Sequence, residues 1–281
     1  MTLVIRTCQR TVEVLKLVGQ GHVIIVLGIE IVTLMVRPIN CLCCLFLIGS
    51  HIKFLFICHS ISGTHVAGTV AAVQNQRGVV GVVEKGASLY IVRVFQNRSG
   101  STSAILAGLD ACRRNGGNIV NMSLGGGGRF GSNAFQRAYN EGMLLVAAAG
   151  NSGNSNLSWP ASEPNVISVA STDANNRHSS FSQTNNRVEL AAFGRSSLST
   201  LPNNRYGTKT GTSMASPVVA GVAAVVWSTY PQCTNVEIRN VLQETAIPCT
   251  GRSTTKNNFC GYGIVQAKKA VDYIANTPGA W

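Results

Sequence analysis

From residue 63 onward, short apolar runs alternate with amphipathic stretches. Residues 88–95 (SLYIVRVF), rich in β-branched and aromatic side chains, predict a strand. Residues 101–115 open with Ser and Thr, carry Ile105, Leu106, Leu109 and Cys112 at helical spacing, and stop at Gly116, which predicts a helix. Residues 118–124 (NIVNMSL) predict a strand, and 132–141 a helix closed by Gly142. Two more strands are predicted at 143–149 (MLLVAAA) and 166–170. Strands that are apolar throughout, separated by helices, belong to a parallel sheet covered on both faces. The expected class is therefore α/β, with sites at the carboxyl ends of the strands, where the Gly- and Asn-rich segments fall.

Before residue 63 the chain changes character. It is rich in Cys, Ile, Leu and Val and contains no Asp. Residues 41–58 (CLCCLFLIGSHIKFLFIC) are nearly long enough to span a membrane, but His51 and Lys53 interrupt them, so no membrane span is expected. Residues 1–13 are polar, with no apolar signal core directly after them, so no secretory signal is read.

At 281 residues the chain can bury one large core. Only 12% of residues are charged and 45% are hydrophobic, which excludes disorder. The net charge is +12, but the basic residues are scattered singly or in pairs, as at Arg113–Arg114 and Lys268–Lys269. With no basic stripe, no nucleic-acid partner is expected. Four cysteines lie in the body: Cys112, Cys233, Cys249 and Cys260. They allow three complete pairings, and Cys249 with Cys260 would close a short loop.

Four segments carry candidate chemistry. Gly211-Thr212-Ser213-Met214-Ala215-Ser216-Pro217 precedes an apolar run to residue 230 that predicts a buried helix. At its start Ser213 is either a nucleophile favoured by the helix dipole or simply the N-cap. Ala147-Ala148-Ala149-Gly150-Asn151 ends a strand in an amide, which is either an oxyanion donor or a turn residue. Ser123-Leu124-Gly125-Gly126-Gly127-Gly128 runs a strand into glycine, which leaves backbone open to an extended peptide or forms a mobile loop. Gly63-Thr64-His65-Val66-Ala67-Gly68 starts a small-residue helix, and His65 alone reads as a packed histidine rather than a catalyst.

In this order the four segments closely resemble the nucleophile, oxyanion, substrate-strand and histidine motifs of the subtilisin-like serine proteases. The likeness runs from about residue 63 to 274. A fainter trace at residues 19–30 looks like the proteinase K segment that holds the catalytic aspartate, except that Leu27 is joined directly to Gly28 where the family has Asp-Thr or Asp-Ser. The resemblance implies a three-layer fold with a mostly parallel central sheet and helices on both faces. It assigns 63–281 to the catalytic domain and 1–62 to a degraded or wrongly translated part of it.

It further implies a serine endopeptidase that hydrolyses peptide bonds through an acyl-enzyme. Ser213 would be the nucleophile and Asn151 an oxyanion donor. Ser123, Leu124, Gly125 and Gly126 would form one cleft wall, and Ala149 and Gly150 would line the first specificity pocket. The carbonyls of Pro164 and Val166 with Glu189 match a calcium site of the proteinase K branch, where an aspartate usually stands at the position of Glu189. A structural calcium ion is expected there, with none needed for the chemistry. The likeness also implies an extracellular monomer acting on extended peptides.

One departure bears on activity. The family motif reads His-Gly-Thr-His, its first histidine is the general base, and that position here is Ser62. His65 matches the second, structural histidine, and neither it nor His59 is expected to substitute. Losing the base costs on the order of 10⁶ in turnover, a figure known from subtilisin, in this same family. The chain as written is therefore expected to be nearly inert, and three explanations stand: an active protease whose residues from about 31 to 62 are wrongly translated, a pseudoprotease that binds peptides, or a decayed product that does not fold.

Overall fold

The structure, a computed structural model, describes residues 60–95, 100–128 and 130–277, with the main chain of four short strands before them. The Leu27–Gly28 junction, the trace at 19–30 and His59 lie outside the described residues. Two of the short strands, β1 (Ile5–Thr7) and β2 (Arg10–Val12), pair with each other in antiparallel fashion.

The others, β3 (Leu45–Phe46) and β4 (Lys53–Cys58), enter the central sheet. The segment considered for membrane spanning thus supplies an inner strand: β4 runs parallel to β6 (Ile119–Met122), pairing Phe54 with Ile119 through Ile57 with Met122. After β4 come α1 (Ser60–Ala71), β5 (Leu89–Arg93) and α2 (Thr102–Arg114). Then follow β6, α3 (Ser132–Asn140), β7 (Leu144–Ala148), β8 (Val166–Thr172) and β9 (Val188–Phe193). The seven strands lie in the order β3-β5-β4-β6-β7-β8-β9, parallel except for β3. A hairpin of β10 (Ser197–Leu201) and β11 (Arg205–Lys209) precedes α4 (Thr212–Thr229), α5 (Asn235–Glu244) and α6 (Ala267–Asn276).

The predicted layers are present, and strand alternation sorts the core into two halves. Ile119, Leu144, Val146, Ile167, Val169 and Leu190 share a cluster with α1, α4, α5 and α6. Val120, Met122, Leu145 and Ala147 share another with Ile105 and Leu109 of α2 and Phe135 of α3. Because both faces are covered, β6 and β7 are buried at every residue, which is why they read as unbroken apolar runs. α4 is apolar enough to cross a membrane by length and composition, but most of it is buried against β6–β9, so here it is the core helix.

The caps follow the sequence. Ser101 caps α2 by accepting from the Ala104 amide, and Gly116 closes the helix at φ 69°. Cys249 and Cys260 form a disulfide, whereas Cys112 and Cys233 are buried in the core. Gly68 lets α1 lie against β10, because a Cβ there would stand 2.0 Å from Thr200 Oγ1.

Candidate functional site

The helix start that carries Ser213 is built from Gly211 and Pro217. Gly211 is the N-cap at φ 155° and its carbonyl accepts the Met214 amide, so Ser213 is the second helical residue and not the cap. Pro217 lies inside α4 and has no N–H to give the Ser213 carbonyl four residues back. That carbonyl is satisfied from outside: Ser123 Oγ donates to it at 2.8 Å. Ser123 in turn accepts from Asn121 Nδ2 at 2.8 Å, and Asn121 Oδ1 accepts from Ser216 Oγ. Asn121 and Ser216 are fully buried, so this polar chain ties the end of β6 to the first turns of α4. Neither residue stood out in the sequence; a polar pair inside otherwise apolar segments was the available signal.

Asn151 is oriented by the same helix start. Its Oδ1 accepts the Thr212 amide at 2.8 Å and the Thr212 hydroxyl at 2.9 Å, which leaves Nδ2 as the remaining donor. Thr212 Oγ1 also accepts the Gly150 amide at 3.2 Å, so one threonine sets the turn after β7 against α4. Gly150 has φ 112°, and a Cβ there would stand 2.6 Å from Gln183.

One cleft collects Leu124, Gly125, Gly126, Ala148, Gly150, Asn151 and Ser213, with Ser158 and Gln183 also on its walls. One expectation about it needs correction. Ala149 faces away, buried with Ala170, Val188 and Ala191, because strand alternation gives the cleft to Ala148 and Gly150. Gly126 lines the cleft, but its own N–H and C=O are both bonded to Trp159 at 2.9 Å. Gly125 and Gly127, which alternate with it, also line the cleft. Open space lies where a Cβ of Gly126 or Gly127 would stand.

The half-buried Ser213 hydroxyl donates to the Ser123 carbonyl at 3.3 Å. Among the described residues no histidine or carboxylate bonds to it. His65 is fully buried, and its Nε2 donates to the carbonyls of Ser197 at 2.9 Å and Gly207 at 3.2 Å. It clamps α1 to the β10–β11 hairpin, as expected of a packed histidine. Burial holds its pKa below the ordinary value, against the opposing effect of those two carbonyls. Ser62 is half-buried in the first turn of α1, a helix that packs on α4.

Pro164 and Glu189 meet in a separate polar groove. Glu189 Oε1 accepts from Arg239 Nε at 2.7 Å and from Gln243 Nε2 at 2.8 Å, and Oε2 accepts from Arg239 at 2.5 Å. The Pro164 carbonyl accepts from the same guanidinium at 3.0 Å. Each of these oxygens already accepts an N–H donor and the Arg239 guanidinium bridges the carboxylate and the carbonyl, which does not fit a hard cation that would need them as ligands.

Comparison with known proteins agrees with this geometry. The subtilase family, peptidase S8, matches residues 60–263. M-protease of Shouchella clausii is 44% identical over 211 residues, covering 74% of this chain and 54% of that protein, so the chain spans about half its length. Subtilisin Savinase of Lederbergia lenta is 43% identical over 211 residues, 74% of this chain and 76% of the relative. The crystal structure of the psychrophilic subtilisin-like protease Apa1 from the Antarctic psychrotroph Pseudoalteromonas sp. AS-11 superposes with a TM-score of 0.74 at 26% identity, covering 78% of this chain and 85% of that one. With its fold, its cleft and this likeness in accord, the chain belongs to the subtilase family of serine proteases.

Proposed function

We propose that the cleft between Gly125–Gly127 and Ala148–Asn151 holds an extended peptide for acyl transfer to Ser213, and that the chain as written stops near the binding step. The observation that carries this is the helix start. Ser213 opens a buried helix beside Asn151, whose amide donor is turned outward by two bonds to Thr212. A carbonyl placed against Ser213 would meet that donor as negative charge develops. The serine needs a base to become nucleophilic near neutral pH, and Ser62 stands where the family has its histidine. Small pocket walls, Ala148 and Gly150, suit a large apolar or aromatic side chain before the scissile bond. Likeness to the subtilisins supports an extracellular protein, and a monomer is part of the same reading.

A fluorescent peptide with an aromatic residue at that position tests the reading. The expected result is saturable binding, with hydrolysis no more than about 10³-fold above water. Absence of binding, or turnover at ordinary protease rates by this chain, would overturn it.

A second reading has its own support: the family match begins at residue 60, immediately after the Cys- and Phe-rich stretch. On this reading residues of about 31–62 are a wrongly translated segment and the native protein is an active endopeptidase. Sequencing the spliced transcript across codons 20 to 66 separates the two. An Asp codon before Gly28 and a His codon before Gly63 establish the active enzyme, and confirmation of Leu27–Gly28 and Ser62 establishes the binder.

A further inference from the structure

The groove formed by Pro164, Glu189, Arg239, Gln243, Lys256 and Arg187 lies apart from the peptide cleft, and the two share no lining residue. We propose that Arg239 is a built-in cation in this groove: its guanidinium occupies the place a divalent ion would take and makes the fold independent of calcium. The inference does not rest on whether Ser213 hydrolyses peptides.

The donors come from a helix that is independently fixed. α5 begins with a capping box in which Thr234 Oγ1 accepts the Glu237 amide at 3.2 Å and Glu237 accepts the Thr234 amide at 2.6 Å. Asn235 Nδ2 donates to the carbonyls of Tyr139 at 2.8 Å and Met143 at 3.0 Å, which pins α5 to the turn between α3 and β7. Arg239 and Gln243 follow one helical turn apart and so address the same carboxylate.

The pair is well desolvated, with side-chain exposures of 13% for Arg239 and 8% for Glu189. Arg239 also lies 5.5 Å from the centroid of the Tyr139 ring, which covers its face. The planar fork reads the Glu189 carboxylate and the Pro164 carbonyl together, so a point charge such as lysine would not reproduce it. The remaining charges oppose a divalent ion: Arg187 and Lys256 join Arg239 around Glu189, the only carboxylate lining the groove among the described residues. A calcium ion would have to displace the guanidinium and then sit beside Arg187 and Lys256.

Thermal melting of the full chain in EDTA and in millimolar CaCl₂ tests the proposal, with terbium luminescence sensitised by Tyr139 or Tyr262 as a second readout. The expected wild-type result is a Tm difference below about 1 °C and no terbium signal. Arg239→Ala should melt about 10 °C lower in EDTA, since one partner of a desolvated pair is left alone, and should recover part of that loss with calcium. Arg239→Lys should melt lower than wild type but stay insensitive to calcium. A calcium-dependent rise of about 5 °C or more in the wild type would overturn the proposal, as would an Arg239→Ala chain that melts like wild type in EDTA. A saturable terbium signal from the wild-type chain would also overturn it.

Discussion

Ser123 donates its hydroxyl proton to the main-chain carbonyl of Ser213, 2.8 Å away, at the carbonyl that Pro217 leaves without a partner in its own helix. The end of β6 and the helix of the candidate nucleophile are therefore joined at the site itself. Replacing Ser123 by Ala strands a partly buried carbonyl and should cost about 1–3 kcal/mol in urea unfolding. In a Pro217→Ala background the restored amide can serve that carbonyl, so the same substitution should cost less than about 1 kcal/mol. Equal costs in both backgrounds would show that the hydroxyl acts through something other than this carbonyl.

On the proposed function, position 62 governs whether Ser213 is activated. Ser62→His places an imidazole in the first turn of α1, which packs on α4. Labelling of Ser213 by a fluorophosphonate should then accelerate by on the order of 10²-fold, the lower end of general-base effects, because the aspartate position is also unfilled. An unchanged labelling rate would mean that α1 does not present this position to Ser213.

Acid should weaken the fold through the buried His65 and the half-buried His178. Burial holds His65 below its ordinary pKa of 6.5, assisted by Lys209, and holds His178 down as well, with Arg252 nearby. Below about 6.5 the unfolded chain binds more protons than the native one, so stability is fully present above that pH and falls as pH drops toward the folded values. Tm should decline from pH 7.5 to pH 5, and His65→Gln should flatten part of the decline. An equally steep profile in the variant assigns the effect to other groups.

The Cys249–Cys260 disulfide closes a short loop, with a sequence separation of 11, beside β9. By chain entropy its removal should cost about 3 kcal/mol. Urea melts of a Cys249→Ala/Cys260→Ala chain measure this, and a midpoint equal to wild type would show that the unfolded loop is already restricted.

Gly68 has no room for a methyl group against Thr200. Gly68→Ala should destabilise the chain by about 1–3 kcal/mol, and Thr200→Ser would not relieve it, because the clashing Oγ1 atom remains. Relief by Thr200→Val, with its hydroxyl gone, would argue for a polar rather than a steric cause.

Much of the architecture is legible in the chain because it follows from local rules. Buried parallel strands must be apolar on both faces, so 118–124 and 143–149 declare themselves, and Ser101 and Gly116 mark where α2 starts and stops. The four motifs could be read because each is short and contiguous. What the sequence did not determine are contacts between distant residues whose direction depends on packing. It did not decide that Ala148 rather than Ala149 faces the cleft, since a uniformly apolar strand has no polar side to fix its phase. Nor did it show that Gly126 spends its main chain on Trp159, or that Asn121, Ser123 and Ser216 complete the helix broken by Pro217. Arg239 meets Glu189 across 50 residues only because α5 is pinned to the turn after α3. Hydrogen bonds are directional and short-ranged, so which donors reach which acceptors was settled only when the layers closed.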